Sequence, residues 1–287
     1  MGPRPEPGHA SIHAWAAEQL GSTRGWIRVD SGQGSTAVFE LTDADGRAWI
    51  VKHYRSARGF EQERAALTRW FAEPSIARVP TVVAAEPSLT TLILERLPGV
   101  TGDGGARGEG AVHHAAGQFL AALHRLDMPD DDPLGLAEAL ARRTRAWSRR
   151  ADLAPELQRV VDRFGPRPEL FEGARRVPCH RDFVPRNWLW DGNALAVIDF
   201  EHARMDLALV DFAKLCVGCW RLRPDLAEAF FRGYGRRLSA IERIALRSVV
   251  VLHGVASMAW GREHGEPEYV DEGISALAMV DDWAPTW

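Results

Sequence analysis

Residues 176–203, RVPCHRDFVPRNWLWDGNALAVIDFEHA, decide how this chain is read. Two apolar pieces, NWLW and LAVIDF, flank Asp191-Gly192-Asn193, a pattern that predicts a β-hairpin. Polar groups gather at its two ends. Asp182 and Asn187 precede the first strand and Asp199 ends the second, and a tight hairpin brings those ends together. An amide oxygen at Asn187 beside a carboxylate at Asp199 can hold Mg²⁺, with most remaining positions left to water and phosphate. Asp182 is then a free carboxylate beside the metal, suited to accept or orient a hydroxyl proton. Taken singly, these Asp and Asn residues are ordinary turn formers, and His180 reads equally as a hydrogen-bonded core residue.

The sequence before this hairpin changes period. Residues 8–20 have the spacing of a short amphipathic helix, with Ile12, Trp15, Ala16 and Leu20 on one face. Apolar-rich strands follow near residues 26–29, 37–41 and 49–54, with Asp45-Gly46 marking a hairpin between the last two. A helix with Phe60, Leu67, Trp70 and Phe71 comes next, and two more strands follow Pro80. A small antiparallel sheet with one inserted helix therefore accounts for residues 21–97. Between 99 and 110 six of twelve residues are glycine, the composition of a loop near a lobe boundary. Beyond it the pattern is mainly helical, interrupted by the hairpin.

The sheet holds a second group of polar residues. In SGQGSTA, Gly32, Gly34 and Ser35 form a turn whose backbone N–H groups can approach phosphate oxygens. Eighteen residues on from Gly34, Lys52 stands in a strand beside Ile50 and Val51. A half-buried ammonium needs an anionic partner, which phosphate or Glu63 on the next helix can supply.

Composition bounds these readings. The chain has 287 residues, is 46% hydrophobic and 26% charged, and carries 35 basic and 39 acidic residues for a formal charge of −4. These values fit a globular enzyme-sized protein and give no electrostatic reason to expect nucleic acid. No apolar run approaches the roughly 18 residues of a membrane span, and the start lacks the apolar stretch of a signal peptide, so the expectation is a cytoplasmic protein without a membrane partner. Of the basic residues 33 are Arg and two are Lys, Lys52 and Lys214. A bias of this kind reflects genome composition, and a retained Lys points to chemistry that Arg cannot do. Lys214 reads as a surface or helix-packing residue. Cys179, Cys216 and Cys219 are too few for a disulfide framework, and the lone Cys216–Cys219 pair reads as core packing.

HRDFVPRN, followed twelve residues after its Asn by IDFE, resembles the catalytic centre of the aminoglycoside phosphotransferase family, which shares the protein-kinase fold. The glycine turn, VK at Lys52, Glu63 in ERAAL, LERLPG and DFAKL extend the resemblance over nearly the whole chain. It implies an α+β, bilobal protein-kinase-like fold: residues 1–97 as a nucleotide-binding lobe, and 98–287 as a helical lobe with the catalytic loop and acceptor site. It further implies ATP or GTP and Mg²⁺ as cofactors, with Lys52 on the donor phosphates and Glu63 orienting Lys52. Asp182 becomes the catalytic base, Asn187 and Asp199 the metal ligands, and Glu95 and Leu97 the backbone contacts to the purine. His180 supports the loop, and Asp211 caps or braces the helix after it. Relatives often carry Gly where Arg181 stands, and the resemblance gives its side chain no role. Val184 and Asp199-Phe200-Glu201 replace protein-kinase features, and helical sequence returns within about ten residues, which argues against a protein substrate.

The expected activity is Mg²⁺-dependent transfer of a nucleotide γ-phosphate to a hydroxyl of a small molecule, an antibiotic such as an aminoglycoside, by a monomer or weak homodimer. A metabolic kinase of the choline or homoserine type is the alternative, and a nucleotide-binding pseudokinase the remote one. For the acceptor, residues 261–287 hold seven acidic residues, among them Glu263, Asp271 and Glu272, against Arg262 alone, and such a cluster could attract a polycationic sugar. Trp260 could stack on a sugar ring.

Overall fold

The computed structural model describes residues 9–30, 36–71, 78–103 and 108–283. Its first elements are α1 (His9–Leu20), β1 (Thr23–Arg28), β2 (Thr36–Asp43), β3 (Ala48–Tyr54), α2 (Ala57–Ala65), β4 (Val82–Glu86), β5 (Thr91–Glu95) and β6 (Val100–Thr101). There follow α3 (Glu109–Arg125), α4 (Leu136–Ala151), α5 (Pro155–Phe164), β7 (Arg176–Cys179), β8 (Trp188–Trp190), β9 (Leu195–Val197) and β10 (Arg204–Leu207). Helices α6 (Val210–Val217), α7 (Cys219–Leu222), α8 (Pro224–Tyr234), α9 (Ala240–His264) and α10 (Pro267–Asp281) complete the chain. The fold is mixed α+β, an N-terminal antiparallel sheet followed by a mostly helical part.

Two compact units make up the chain: Met1–Thr101 with Asn187–Ala203, and Gly102–Arg186 with Arg204–Trp287. The sequence reading drew its boundary at residue 97 and kept 187–203 with the helical part. Pairing explains the difference. Strands β8 and β9 form a sheet with β6, and Val197 N–H donates to the Arg78 carbonyl at 3.0 Å, so the hairpin joins the first unit.

In that unit the sheet order is β1-β2-β3-β5-β4, with antiparallel neighbours. Alternation along β2 turns Phe39 and Leu41 to one face, where they bury with Val51, Ile93 and the helix residues Ile12 and Ala16. Lys52 follows Val51 and so projects to the opposite face, opposite Val38 and Leu92 in register. Ser56 caps α2, its side chain accepting the Arg58 N–H at 3.2 Å.

The second unit packs α3 on α8 and α9 on α10. Phe212, Trp220, Phe230, Phe231 and Tyr234 form an aromatic cluster with centroids 5.0–6.3 Å apart. Strand β7 pairs with β10, placing Cys179 opposite Arg204, a ladder the sequence reading did not include. Helix α9 is bounded by a reciprocal Ser239–Glu242 capping box and by Gly265 at φ 72°. By length and composition it could cross a membrane, a correction to the expectation that no segment approaches such a span. However, 72% of its most apolar window is buried, as in the core helix of a folded unit.

Helices α3 and α8 approach through glycines: a Cβ on Gly233 would lie 1.9 Å from the His114 carbonyl oxygen, and one on Gly117 2.1 Å from that of Phe230. Helix propensity favours Ala over Gly by about 1 kcal/mol, so the sign of the effect separates packing from propensity. Gly233→Ala should destabilise by about 1–3 kcal/mol in urea unfolding because the helices must separate. His113 on α3 is buried, which pushes its pKa from 6.5 down to about 4. Its neutral form is the one folded in, so its contribution is complete above pH 6.5 and declines as pH falls toward 4. The loss should reach at most about 1.4 kcal/mol per pH unit, and His113→Phe should flatten that part of the stability profile.

Candidate active site

In the first unit, β3, α2 and the end of the embedded hairpin bring three charged side chains together. Lys52 Nζ lies 2.5 Å from Glu63 Oε2 and 2.8 Å from Asp199 Oδ1. The Lys52 and Glu63 side chains are 7% and 0% exposed, whereas that of Asp199 is one-third exposed. Tyr54 hydroxyl also donates to Glu63 Oε2, at 2.7 Å. Burial opposes charge on Lys52, but Asp199 and Glu63 outweigh it and raise its pKa above 10.5. For Glu63 burial wins over the attraction of Lys52, and its pKa rises.

The hairpin register sets Asn187 opposite Ile198, the residue before Asp199. Trp188 pairs with Val197, and Ile198 N–H donates to the Asn187 carbonyl at 3.0 Å. Asn187 is buried, Asp199 has φ 71°, and Phe200 after it is buried edge-on to Phe71 at 5.3 Å. A left-handed backbone on a non-glycine residue persists only when its surroundings hold it. Glu201 accepts a hydrogen bond from Thr36. At the end of β5, the Glu95 N–H is committed to the Thr81 carbonyl at 3.0 Å and its carboxylate to the Thr81 hydroxyl at 3.0 Å, while Leu97 is buried. The expected phosphate turn at Gly32, Gly34 and Ser35 lies outside the described residues.

The second unit holds Asp182. Its side chain is 7% exposed, and Lys214 Nζ lies 2.5 Å from Oδ1 and Arg186 Nη2 2.8 Å from Oδ2. The loop carrying it is tied from below. Asp211, in the first turn of α6, accepts the His180 N–H at 3.0 Å, the Arg181 N–H at 2.5 Å and faces His124 Nε2 at 3.1 Å. Asp211 thus braces the preceding loop more than its own helix. Phe183 packs on His180, Phe119 and Phe230. Lys214 is not the surface or packing residue expected from sequence, because one helical turn after Asp211 its ammonium meets Asp182. Its scarcity as one of two lysines was the signal that could have found it.

Lys214 and Arg186 also line an open cavity of about 520 Å³, with Val184, Leu215, Arg221, Glu268, Tyr269, Glu272 and others. Of the four acceptor residues expected from sequence, Glu272 lines this cavity and Asp271 is exposed. Glu272 hydrogen-bonds His253 at 2.7 Å. Burial works against the Glu272 charge, but His253, Lys214 and Arg186 prevail and lower its pKa. Glu263 is engaged in a fork with Arg150, and Trp260 stacks on His264 at 4.3 Å and contacts Tyr269 at 4.4 Å. The acidic C-terminal residues are therefore partly matched by cations. Burial raises the thiol pKa of Cys216, and that of Cys219 to about 11, in keeping with packing residues.

Residues 26–246 match the model of the phosphotransferase enzyme family. The chain belongs to this family. A sequence comparison with curated proteins returns no match. Among solved structures the phosphotransferase is similar to a thermostable mutant of aminoglycoside phosphotransferase APH(4)-Ia, in ternary complex with ADP and hygromycin B. The TM-score is 0.74 at 20% identity, over 96% of this chain and 100% of that one. It is also similar to macrolide 2′-phosphotransferase MphH from Brachybacterium faecium (TM-score 0.66, 16% identity, 93% and 97% covered) and to APH(2″)-IIa in complex with gentamicin (0.64, 16%, 94% and 95%).

Lys52→Met should destabilise the phosphotransferase by about 3–5 kcal/mol, because Glu63 is left buried without its cation. Double substitution with Glu63→Gln should recover part of that loss in a urea-unfolding cycle, since the two side chains are in contact.

Proposed function

We propose that this phosphotransferase transfers the γ-phosphoryl group of ATP or GTP to a hydroxyl of a small-molecule antibiotic. The observation that carries the reading is Asp182: a nearly buried carboxylate held by Lys214 and Arg186, both of which line the same cavity. A hydroxyl presented from that cavity would give its proton to Asp182 as its oxygen bonds to the γ-phosphorus, and the bond to the β-phosphate oxygen would break to release the nucleoside diphosphate. Lys52, preset by Glu63, serves the donor phosphates, and the Lys214 ammonium orients Asp182.

Asn187 and Asp199 fit Mg²⁺: both offer oxygen donors, the hairpin pairs Asn187 with Ile198, the residue before Asp199, and the Asp199 carboxylate is one-third exposed. A bound Mg²⁺ would neutralise charge on the donor phosphates. Leu97 and the carbonyl side of Glu95 are our candidates for purine contact. The relatives support an antibiotic acceptor, since hygromycin B and gentamicin are bound in two of them and others are macrolide kinases. The cavity mixes Arg186, Lys214 and Arg221 with Glu268 and Glu272, so it suits a molecule of low net charge better than a polycation. The same cations favour, as second reading, an acceptor carrying a carboxylate, of the homoserine type rather than choline. We place the enzyme in the cytoplasm as a monomer or weak homodimer.

The test is nucleotide diphosphate release with ATP and GTP in parallel, across hygromycin B, gentamicin, macrolides, nucleoside and peptide antibiotics, homoserine and choline. Saturable turnover with one of the antibiotics is expected; turnover with homoserine or choline alone would overturn the antibiotic reading. Asp182→Asn should lower kcat about 100- to 10,000-fold with nucleotide affinity retained. Lys214→Ala should lower kcat about 10- to 100-fold and be partly rescued by added ethylamine, which a packing role would not allow.

A further inference from the structure

In the second unit, α4, α5 and the turn after α5 border an open cavity of about 350 Å³ that shares no lining residue with the one at Lys214 and Arg186. Its floor is Thr144, Val161 and Gly165, all buried, and Ala141 and Pro166 add apolar wall. The volume falls within the range of small-molecule sites, about 300–1,000 Å³. Phosphoryl transfer makes no use of it.

Positive charge dominates the lining. Arg145, Arg149 and Arg167 border the cavity, and among the described residues none of their guanidinium groups pairs with a carboxylate or a hydrogen-bond acceptor. The one lining acid, Asp162, accepts a hydrogen bond from Gln158 Nε2 at 2.7 Å. Neighbouring arginines are satisfied: Arg143 by Asp206, which Arg181 and Arg204 also face, Arg150 by Glu263 and Arg163 by Asp281. Arg145 and Arg149 stand four apart on α4, a spacing at which like charges weaken a helix and an anion between them relieves the repulsion. Ser148 lines the cavity as well, and its hydroxyl is sealed from water with no partner among the described residues. Thr144, one turn earlier, instead donates to the Leu140 carbonyl at 3.0 Å. Guanidinium groups and a hydroxyl without acceptors all call for an oxyanion.

We propose that this cavity binds a small organic phosphate monoester. Phosphate suits the donors: its three terminal oxygens can be shared among planar guanidinium groups and the Ser148 hydroxyl, and its negative charge offsets three arginines set against one aspartate. The organic body of the ester lies against Ala141, Val161 and Pro166, which inorganic phosphate would leave uncovered. Because the site is separate from the cavity at Asp182, the proposal does not rest on the kinase reading.

Calorimetry on the full chain, at ionic strength held with sodium chloride, should show saturable binding of phenyl phosphate, tighter than that of inorganic phosphate. Arg145→Ala and Arg149→Ala should each weaken phenyl phosphate about 10- to 100-fold and Ser148→Ala about 2- to 10-fold, with little change in the Tm measured without it. Arg142 is an exposed, unpaired residue of the same helix that does not line the cavity. Arg142→Ala removes the same charge and should leave affinity within about 2-fold, which separates a site from a diffuse positive field. Hydrogen exchange on the unaltered protein gives the location: phenyl phosphate should slow exchange at residues 141–149 and 158–167. The proposal is overturned by no saturable binding, by inorganic phosphate binding as tightly, by unchanged affinity in the lining variants or an equal loss in Arg142→Ala. Protection centred on Ala48–Tyr54 or on residues 214–221 would overturn it too.

Discussion

The first unit depends on an ammonium placed on the second face of its sheet. Lys52 could not remain there without carboxylates, and those it meets come from two other pieces of chain, Glu63 on α2 and Asp199 at the end of the embedded hairpin. The triad therefore fixes the approach of α2 to β3 and ties residues 187–203 to a sheet that ended about ninety residues earlier. Breaking the set costs more than its net worth, because the Glu63 carboxylate, sealed from water, has no second partner of opposite charge among the described residues. Tyr54 adds a hydrogen bond to Glu63 but no charge.

The second unit handles the same difficulty differently. Asp182 is satisfied by Arg186 four residues on and by the remote Lys214, whereas the Asp211 carboxylate is met by the remote His180 and Arg181 N–H groups and by His124. In each unit a non-glycine residue of the candidate site is left-handed: Arg181, next to Asp182, in the second and Asp199 in the first. Backbone strain there is held by buried neighbours: Asp211 and Phe183 for the loop, Phe200 for the hairpin end.

Much of this was legible in the sequence because it is local. Alternation in β2 and β3, the Asp191-Gly192-Asn193 turn and the spacing of Asp182, Asn187 and Asp199 all lie within a few residues, and Lys52 announced its need for an anion by standing between apolar neighbours. What was missed is non-local or cancels in sums. Lys214 meets a carboxylate 32 residues earlier in the chain, β7 pairs with a strand 25 residues on, and the three arginines around Asp206 come from α4, a loop and a strand. Counting acids between residues 261 and 287 overstated the negative field, because Arg150 and His253, partners of Glu263 and Glu272, lie outside that window. The membership of 187–203 in the first unit follows from strand pairing that no periodicity encodes.

With two lysines in 287 residues, this protein has almost no bystander amines. Both side-chain ammonium groups are engaged by carboxylates, one by Glu63 and Asp199 and the other by Asp182. Amine-directed acylation, cross-linking or surface attachment, which in most proteins spreads over many harmless positions, here has the chain terminus and two charge-paired centres to act on. The modification yield at each lysine becomes a direct gauge of whether its ion pair is closed, obtainable by mass spectrometry without a substrate or an engineered label.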